Sequence, residues 1–164
     1  MTAGEFKQAY FSLHPKLYRV AFTILKNVED AEDIIQEVYC KLWDSREKLT
    51  EIKNPEAYCV TLVKHLCMDI LRSPKSSLND YNIEDYDFPD SSANIENEME
   101  SQETIQKIRS IIHGLPEKQQ KVLNLRGFAG CSLEEIEKIT GESAVNIRVL
   151  LSRARNTLRI SLKY

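Results

Sequence analysis

The sequence predicts an all-α protein in which two small helical domains are joined by an acidic linker. Apolar residues recur at helical spacing in both halves of the chain, and no stretch alternates apolar and polar residues as a strand would. Between the two halves lies a polar segment rich in carboxylates. We therefore expect a first domain at residues 1–73, a linker at 74–103 and a second domain at 104–164.

Composition is that of an ordinary globular protein. The chain has 164 residues, a formal net charge of −3 and 42% hydrophobic residues, which suffices for one domain or two small ones. Its first residues lack a basic flank followed by an apolar run, and no stretch reaches the roughly 18 apolar residues of a membrane span. We expect a cytoplasmic protein with no membrane insertion of its own.

Residues that could carry metal or covalent chemistry are scattered. No pair of cysteines forms CxxC, and the histidines lie far apart. We expect reduced, mostly buried thiols and no metal site. A glycine-rich phosphate loop and a nucleophile beside a base are also lacking, so we expect no enzyme, no cofactor and no small-molecule substrate. The residues concerned are Cys40, Cys59, Cys67, Cys131, His14, His65 and His113.

The first domain opens with two helical patterns. The pattern from Phe6 to Ile24 is interrupted before Pro15, where the preceding residue resists the helical conformation, so we expect a short helix and then a longer one. Asn27 is placed to cap the next helix, with Asp30 at the third position. That helix has a predicted core stripe of Ala31, Ile34, Ile35, Val38 and Leu42. Its opposite face carries Asp33, Gln36, Glu37 and Lys41, for which plain solvation is the simpler explanation.

The helix that follows begins cleanly, with Asn54 as the cap and Pro55 in the first turn. Its predicted core stripe is Cys59, Leu62, Leu66 and Ile70. The residues expected on the outside are Thr61, Lys64, His65, Met68 and Arg72. The chain then becomes acidic, with nine carboxylates and no lysine or arginine between residues 80 and 103, which is typical of a linker.

The second domain has the helix start and stop signals of a helix-turn-helix. After Leu115-Pro116 an amphipathic segment runs to residue 125, and Ser132 with Glu135 then forms a capping box for a helix that ends at Gly141. A new helix begins at Ser143. Helix, glycine turn and helix is the spacing of a motif whose second helix enters the DNA major groove.

The final helix is strongly basic. Its predicted buried stripe is Ile147, Leu150, Leu151, Ala154 and Leu158, and the adjacent exposed face carries Arg148, Ser152, Arg155 and Arg159. Arg153 is expected on the other flank with Asn146 and Val149. A favourable interaction with the helix dipole explains arginines near the C-terminus, but it does not explain Arg148 near the start. We therefore predict DNA binding by this helix.

Taken in order, these motifs resemble the extracytoplasmic-function group of bacterial sigma factors. DAEDIIQEVYCKLW at 30–43 is similar to the family's helix that docks on the clamp helices of RNA polymerase. YCVTLVKHLCMDILR at 58–72 is similar to the helix that melts and reads the minus-ten element. The segments at 115–127, 132–141 and 143–159 resemble the domain that reads the minus-thirty-five element.

The resemblance implies three partners, namely core RNA polymerase, promoter DNA and an anti-sigma factor. It implies polymerase docking by Asp33, Gln36, Glu37, Lys41, Leu42 and Trp43. It implies minus-ten contacts by Lys64, His65, Met68 and Arg72. It implies minus-thirty-five contacts by Ser143, Asn146, Arg148, Ser152, Arg153 and Arg155. The loop at 46–57 lies where the family captures a flipped base, and the acidic linker is either a nucleic-acid mimic within polymerase or a plain tether.

Two other functions remain open from the residues alone. A stand-alone helix-turn-helix regulator would bind duplex DNA without polymerase, although a net charge of −3 is low for that task. A sigma mimic that sequesters an inhibitor would keep the core stripes, but it would not need Lys64, Arg148 and Arg155.

Overall fold

The computed structural model of the chain describes residues 1–72 and 98–163, with side chains from residue 102 onward in the second range. The predicted all-α class is confirmed, because this part of the chain is built from helices and contains no strand. The eight α-helices of the described ranges are α1 (Ala3–Tyr10), α2 (His14–Leu25), α3 (Val28–Asp44), α4 (Pro55–Leu71), α5 (Glu98–His113), α6 (Glu117–Leu123), α7 (Leu133–Thr140) and α8 (Ala144–Leu162). Most of the predicted linker, residues 73–97, lies outside the described residues, and the predicted domain boundaries stay predictions.

Helices α1 to α4 form the first helical unit, and α3 and α4 begin at the predicted caps. A short α1 and a longer α2 are separated by the 3-10 turn Phe11–Leu13, as expected from the proline that follows. The Asn27 Oδ1 accepts a hydrogen bond of 2.9 Å from the backbone of Asp30, and Asn54 does the same for Ala57 at 3.1 Å. All five residues of the predicted α3 stripe are buried.

The predicted core stripe of α4 is partly wrong. Cys59 and Leu66 are buried as expected, whereas Leu62 and Ile70 are only half-buried. The side chains buried along this helix are Cys59, Val60, Val63, Leu66 and Cys67. Helix α4 packs on α2 and α3 and also contacts α7, and its sequence is apolar on most of its circumference. A helix of that kind has no single stripe that periodicity can select.

Helices α5 to α8 form the second unit and include the predicted helix-turn-helix. Ser132 and Glu135 make the reciprocal capping box of α7, and Gly141 ends that helix with φ 76°. Ser143 then caps α8 by accepting a hydrogen bond from the backbone of Asn146 at 3.1 Å. Of the predicted α8 stripe, Ile147, Leu150, Leu151 and Ala154 are buried. Leu158 is half-buried, because the last turns of α8 expose their apolar side chains.

The two units pack against each other through α2, α4 and α7. The Lys16 Nζ lies 2.8 Å from Glu135 Oε1 on α7 and 3.2 Å from Glu56 Oε1 on α4. The guanidinium of Arg19 lies 5.3 Å from the ring centroid of Phe128, at the chain turn that precedes α7. One charged cluster and one cation–π contact therefore connect parts of the chain that are more than a hundred residues apart in sequence.

Burial opposes the charges of this cluster, but the hydrogen bonds within it outweigh the effect of burial. Burial alone would raise the pKa of Glu135, yet hydrogen bonds from Lys16 and Ser132 hold that pKa below its usual value. Burial alone would lower the pKa of Lys16, yet its hydrogen bonds to Glu135 and Glu56 raise that pKa. Both partners are therefore charged at neutral pH, although their side chains are only 18% and 10% exposed.

Replacing Lys16 by methionine tests whether this cluster holds the two units together. Lys16→Met keeps much of the side-chain length and leaves a buried carboxylate without its cation, so the contact should weaken by about 1.5–3 kcal/mol. Small-angle scattering should then report a larger radius of gyration than for the parent. The exposed Lys53→Met is the matched control and should leave the profile unchanged. Identical profiles for all three proteins would contradict the role of Lys16.

The pH dependence of the contact follows from the two pKa directions. A lowered carboxylate pKa gives a stabilisation that is complete above the ordinary value of 4.5 and is lost as the pH falls through the lowered value. A raised lysine pKa gives a stabilisation that is complete below 10.5 and is lost above it. Urea unfolding of the parent and of Glu135→Gln, which can still cap α7, should differ by a constant amount from about pH 6 to about pH 9. The difference should vanish in acid, and a change near pH 7 would implicate another group.

Candidate nucleic-acid interface and docking surface

The exposed side of α8 forms a basic groove. Its volume is about 570 Å³, and acidic side chains are not among the described residues that line it. The lining consists of Arg126, Leu133, Arg148, Leu151, Ser152, Arg153, Arg155, Asn156 and Arg159. Four predicted minus-thirty-five residues thus meet in one groove, and Arg153, which we expected on another flank, is one of them. We name this surface the arginine groove.

Arg126 belongs to the arginine groove but is not among the residues that the sequence predicts for DNA contact. It lies in a π-helical turn, Asn124–Phe128, that closes with a backbone hydrogen bond of 2.9 Å from Ala129 to Asn124. Its guanidinium donates to the backbone oxygen of Cys131 at 2.9 Å, which anchors the side chain beside α8. No feature of the local sequence predicts a π turn, so the direction of this side chain could not be predicted.

The arginine groove has the chemistry of a nucleic-acid surface. Each guanidinium offers donors in a planar fork that matches two phosphate oxygens or the O6 and N7 of guanine. Arg148, Arg155 and Arg159 are exposed, and Arg159 is steadied by a hydrogen bond of 2.6 Å to Asn156. Ser143 is exposed at the start of the helix, and its hydroxyl accepts from the backbone of Asn146, which leaves the hydroxyl hydrogen available to an anion.

Asn146 differs from the other predicted contacts because it is half-buried. Its side-chain nitrogen donates to a carboxylate oxygen of Glu142, the residue immediately before the cap of α8. Glu142 in turn pairs with Lys118 of α6 at 3.1 Å. The sequence places Asn146 on the reading helix, but it does not reveal the two residues that hold its amide.

The predicted minus-ten residues on α4 are not equally accessible. His65 and Arg72 are exposed, whereas Met68 is half-buried and packs against the core. The Lys64 ammonium donates to the backbone oxygen of Lys138 on α7, so the packing of the second unit occupies it. A separate lysine, Lys121 of α6, has its pKa lowered mainly by burial and further by the nearby charges of Lys26 and Lys64, while Glu117 opposes the shift. Positive charge is thus concentrated where the two units meet.

Four of the six residues predicted to dock on polymerase are exposed on α3, and one of the six is buried in the core. Asp33, Gln36, Glu37 and Lys41 are exposed, so they are free to contact a partner. Leu42 is 1% exposed and belongs to the core, so its assignment to the docking surface is wrong. Leu42 belongs to both the predicted core stripe and the predicted docking set, and a helical residue cannot face both ways.

Trp43 is half-buried beside this face. Its ring contacts Phe6 edge-to-face with centroids 5.1 Å apart, and the Arg46 guanidinium lies 4.3 Å from its centroid. These contacts hold the indole in place as one wall of an apolar groove of about 460 Å³. The other lining residues are Ala3, Phe6, Lys7, Phe11, Tyr39 and Cys40. Phe11 is 47% exposed, which is unusual for phenylalanine.

The apolar groove continues the docking face. Cys40 and Trp43 follow Gln36 by four and seven residues, so all three lie on neighbouring turns of one side of α3. We call the four exposed α3 residues and this groove together the α3 surface. The apolar part of this surface could not be predicted from α3 alone, because α1 supplies three of the seven lining residues.

Within the described ranges the structure holds no cluster of three potential metal ligands and no helix long and apolar enough to cross a membrane. The expectation of mostly buried thiols is confirmed, since Cys59, Cys67 and Cys131 are buried and only Cys40 is exposed. Burial raises the pKa of each of the three buried thiols to about 12. They are therefore protonated and unreactive at neutral pH.

Comparison with known proteins gives two family matches, one for each unit. Residues 10–76 match Sigma-70 region 2, and residues 105–158 match Sigma-70 region 4. RNA polymerase sigma factor SigV of Bacillus subtilis is 29% identical over 88% of this chain and 83% of its own length. Ferric citrate uptake sigma factor FecI of Escherichia coli is 27% identical over 97% of this chain and 92% of its own length.

Solved structures are similar over nearly the whole chain. The sigma factor RpoE of Bartonella quintana, in complex with the anti-sigma factor NepR, matches with a TM-score of 0.67 at 22% identity, covering 98% of both chains. CnrH, in complex with the cytosolic domain of CnrY, matches with a TM-score of 0.58 at 15% identity, covering 99% of this chain and 90% of CnrH. At these identities the likeness is one of fold.

The half-buried position of Trp43 generates a prediction about stability. Trp43→Ala removes the packing against Phe6 and Arg46 and should lower the free energy of unfolding by about 2 kcal/mol. Gln36→Ala, on the exposed part of the same face, should change it by less than about 0.5 kcal/mol. Chemical unfolding followed by circular dichroism measures both. Equal stability of the two variants would show that Trp43 is a surface residue only.

Proposed function

Because the chain belongs to the extracytoplasmic-function group of bacterial sigma factors, whose members direct transcription initiation, we propose which of its surfaces perform each step. The α3 surface binds core RNA polymerase, α4 reads the minus-ten element and the arginine groove reads the minus-thirty-five element. The observation that carries this assignment is the arginine groove, because it lies along the second helix of a helix-turn-helix. We propose no catalytic step for the chain itself.

Recognition of the minus-thirty-five element begins at the N-terminal half of α8. Residues there enter the major groove most deeply in helix-turn-helix proteins, so Asn146 and Arg148 are placed to meet base edges. Arg155 and Arg159 lie about two and three turns beyond Arg148 and suit phosphates. Arg126 adds a cation from outside the helix, which widens the charged strip that follows the DNA backbone.

Reading the minus-ten element requires the two units to separate. The two promoter elements lie about 25 base pairs apart, which is roughly 85 Å of B-form DNA. Helix α4 contacts α7, and α7 packs on α8, so the two reading helices of this compact arrangement cannot span that length. Separation would also release Lys64 from the backbone of Lys138, so that it could meet the phosphates of the melted strand beside His65 and Arg72.

Docking on core polymerase uses the α3 surface. Its exposed carboxylates and Lys41 provide charge complementarity, and its apolar groove provides the buried contact that stable interfaces need. Polymerase then supplies most of the affinity for the promoter. This explains how a protein with a net charge of −3 can act on DNA.

An anti-sigma factor completes the set of partners. One solved structure of similar fold is the sigma factor RpoE bound to the anti-sigma factor NepR, and another is CnrH bound to the cytosolic domain of CnrY. We propose that an anti-sigma factor likewise restrains the present chain. We propose a cytoplasmic location, where core polymerase and promoter DNA are found.

Transcription in vitro tests the function. Core polymerase with the chain should start RNA from fragmented genomic DNA of the source organism at sites that share two spaced upstream elements, and core polymerase alone should not. A chain that binds duplex DNA without polymerase and starts no RNA would be a stand-alone regulator. A chain that binds neither duplex DNA nor core polymerase would be a sigma mimic.

Two single variants separate docking from DNA reading. Arg148→Ala should lower promoter binding by about 1–3 kcal/mol and leave capture of core polymerase intact. Gln36→Ala should weaken capture of core polymerase. The complexes that do form should prefer the same promoter sequence as the parent. Pull-down of core polymerase and abortive initiation on one promoter measure the two effects. Equal losses in both assays for both variants would contradict the division of roles.

A further inference from the structure

A small charged network stands at the start of the reading helix. Glu142 is the only acid between Gly141 and the end of the chain, and it directly precedes the cap Ser143. One carboxylate oxygen lies 3.1 Å from the Lys118 ammonium of α6, and the other accepts a hydrogen bond from the Asn146 side-chain nitrogen. An acid at this point of a DNA-binding face needs a physical reason, because it repels phosphates.

The surroundings keep this carboxylate charged. Hydrogen bonds from Lys118 and then from Asn146 hold the pKa of Glu142 below its usual value, so the side chain is ionised at neutral pH. Lys118 is 72% exposed and supplies a compensating charge on the solvent side of the carboxylate. The repulsion that Glu142 would exert on DNA is thereby reduced, and the acid stays available to Asn146.

The carboxylate determines which way the amide of Asn146 faces. An ionised carboxylate only accepts hydrogen bonds, so Nδ2 of the amide must point toward it and Oδ1 must point away. One Nδ2 hydrogen is then used, and a second Nδ2 hydrogen and Oδ1 remain. A neighbouring donor and acceptor of this kind match N7 and N6 of adenine in the major groove. A free asparagine could present its amide in either orientation.

We propose that Glu142, supported by Lys118, is a positioning residue that fixes the amide of Asn146 and so sets a preference for adenine at one base pair of the upstream element. The proposal rests on the proposed function, since it requires α8 to lie in the major groove. It adds two residues that do not touch the base, one of them on α6, to the determinants of promoter choice.

The test measures base preference at every position of the upstream element. Core polymerase with the full chain transcribes a promoter library randomised at that element, and sequencing of the transcripts gives the preference at each position. Asn146→Ala should reduce the adenine preference about tenfold at a single position. Glu142→Ala should reduce it severalfold at that same position, and the double variant should match Asn146→Ala.

Two further variants separate positioning from charge and from folding. Glu142→Gln keeps a carbonyl that can accept from Asn146, so it should retain most of the adenine preference. Glu134→Ala removes an exposed acid from α7 and should leave the preference at every position unchanged. Rescue by glutamine and the absence of an effect at Glu134 would together support the proposal.

Each remaining outcome overturns one specific statement. If Asn146→Ala removes a preference and Glu142→Ala changes none, or changes a different position, then Glu142 does not position Asn146. If Asn146→Ala changes no position although the parent selects an element, then Asn146 reads no base and the proposal fails. If the parent itself selects no upstream element, the assignment of α8 as the reading helix fails instead.

Discussion

A single carboxylate connects the folding of the helix-turn-helix to the packing of the two units. Glu135 accepts from the backbone of Ser132 at 2.9 Å and so caps α7, and the same Oε1 atom accepts from Lys16 at 2.8 Å. Its second oxygen is buried and has no hydrogen-bond partner among the described residues. Burying two charges costs a large desolvation energy, which their attraction offsets only in good geometry. The contact is therefore specific but not strongly stabilising.

Apolar packing also contributes to this interface, because buried residues of both units belong to one hydrophobic cluster. The ion pair, the cation–π contact and the lysine on a backbone oxygen are its exchangeable part, since each can be replaced by other polar partners if the units separate as we propose. In the compact arrangement the arginine groove and the α3 surface are open, while Lys64 is engaged. The accessible surfaces are thus the two that we propose for polymerase and for the upstream element. On the same proposal, the surface for the melted strand becomes complete only after separation.

The sequence predicted the features that depend on neighbouring residues. Caps at Asn27, Asn54, Ser132 and Ser143 each act over three residues, so they could be predicted from spacing alone. The stripe of α4 could not be predicted, because that helix is apolar on several sides and only tertiary packing selects among them.

The parts of the candidate site that could not be predicted from the sequence also depend on tertiary packing. Arg126 depends on a π turn, the apolar groove depends on α1 lying beside α3, and the amide of Asn146 depends on a lysine from α6. Lys16 and Glu135 are separated by 119 residues, and no pattern in either segment relates them. Leu42 is a different case, because helical periodicity correctly indicates its burial, whereas the resemblance to a family motif implies a surface position.

The separation of the two units is tested most directly by measuring the distance between them before and after polymerase binds. Donor and acceptor dyes at Lys48→Cys and Thr157→Cys, both at exposed positions, report that distance in a chain that also carries Cys40→Ser. We expect high energy transfer in the free chain, because the two units are in contact there. In the complex with core polymerase and promoter we expect a large loss of transfer, because the units separate. Transfer that stays high in a complex competent for transcription would contradict the requirement for separation, and low transfer in the free chain would contradict the compact arrangement.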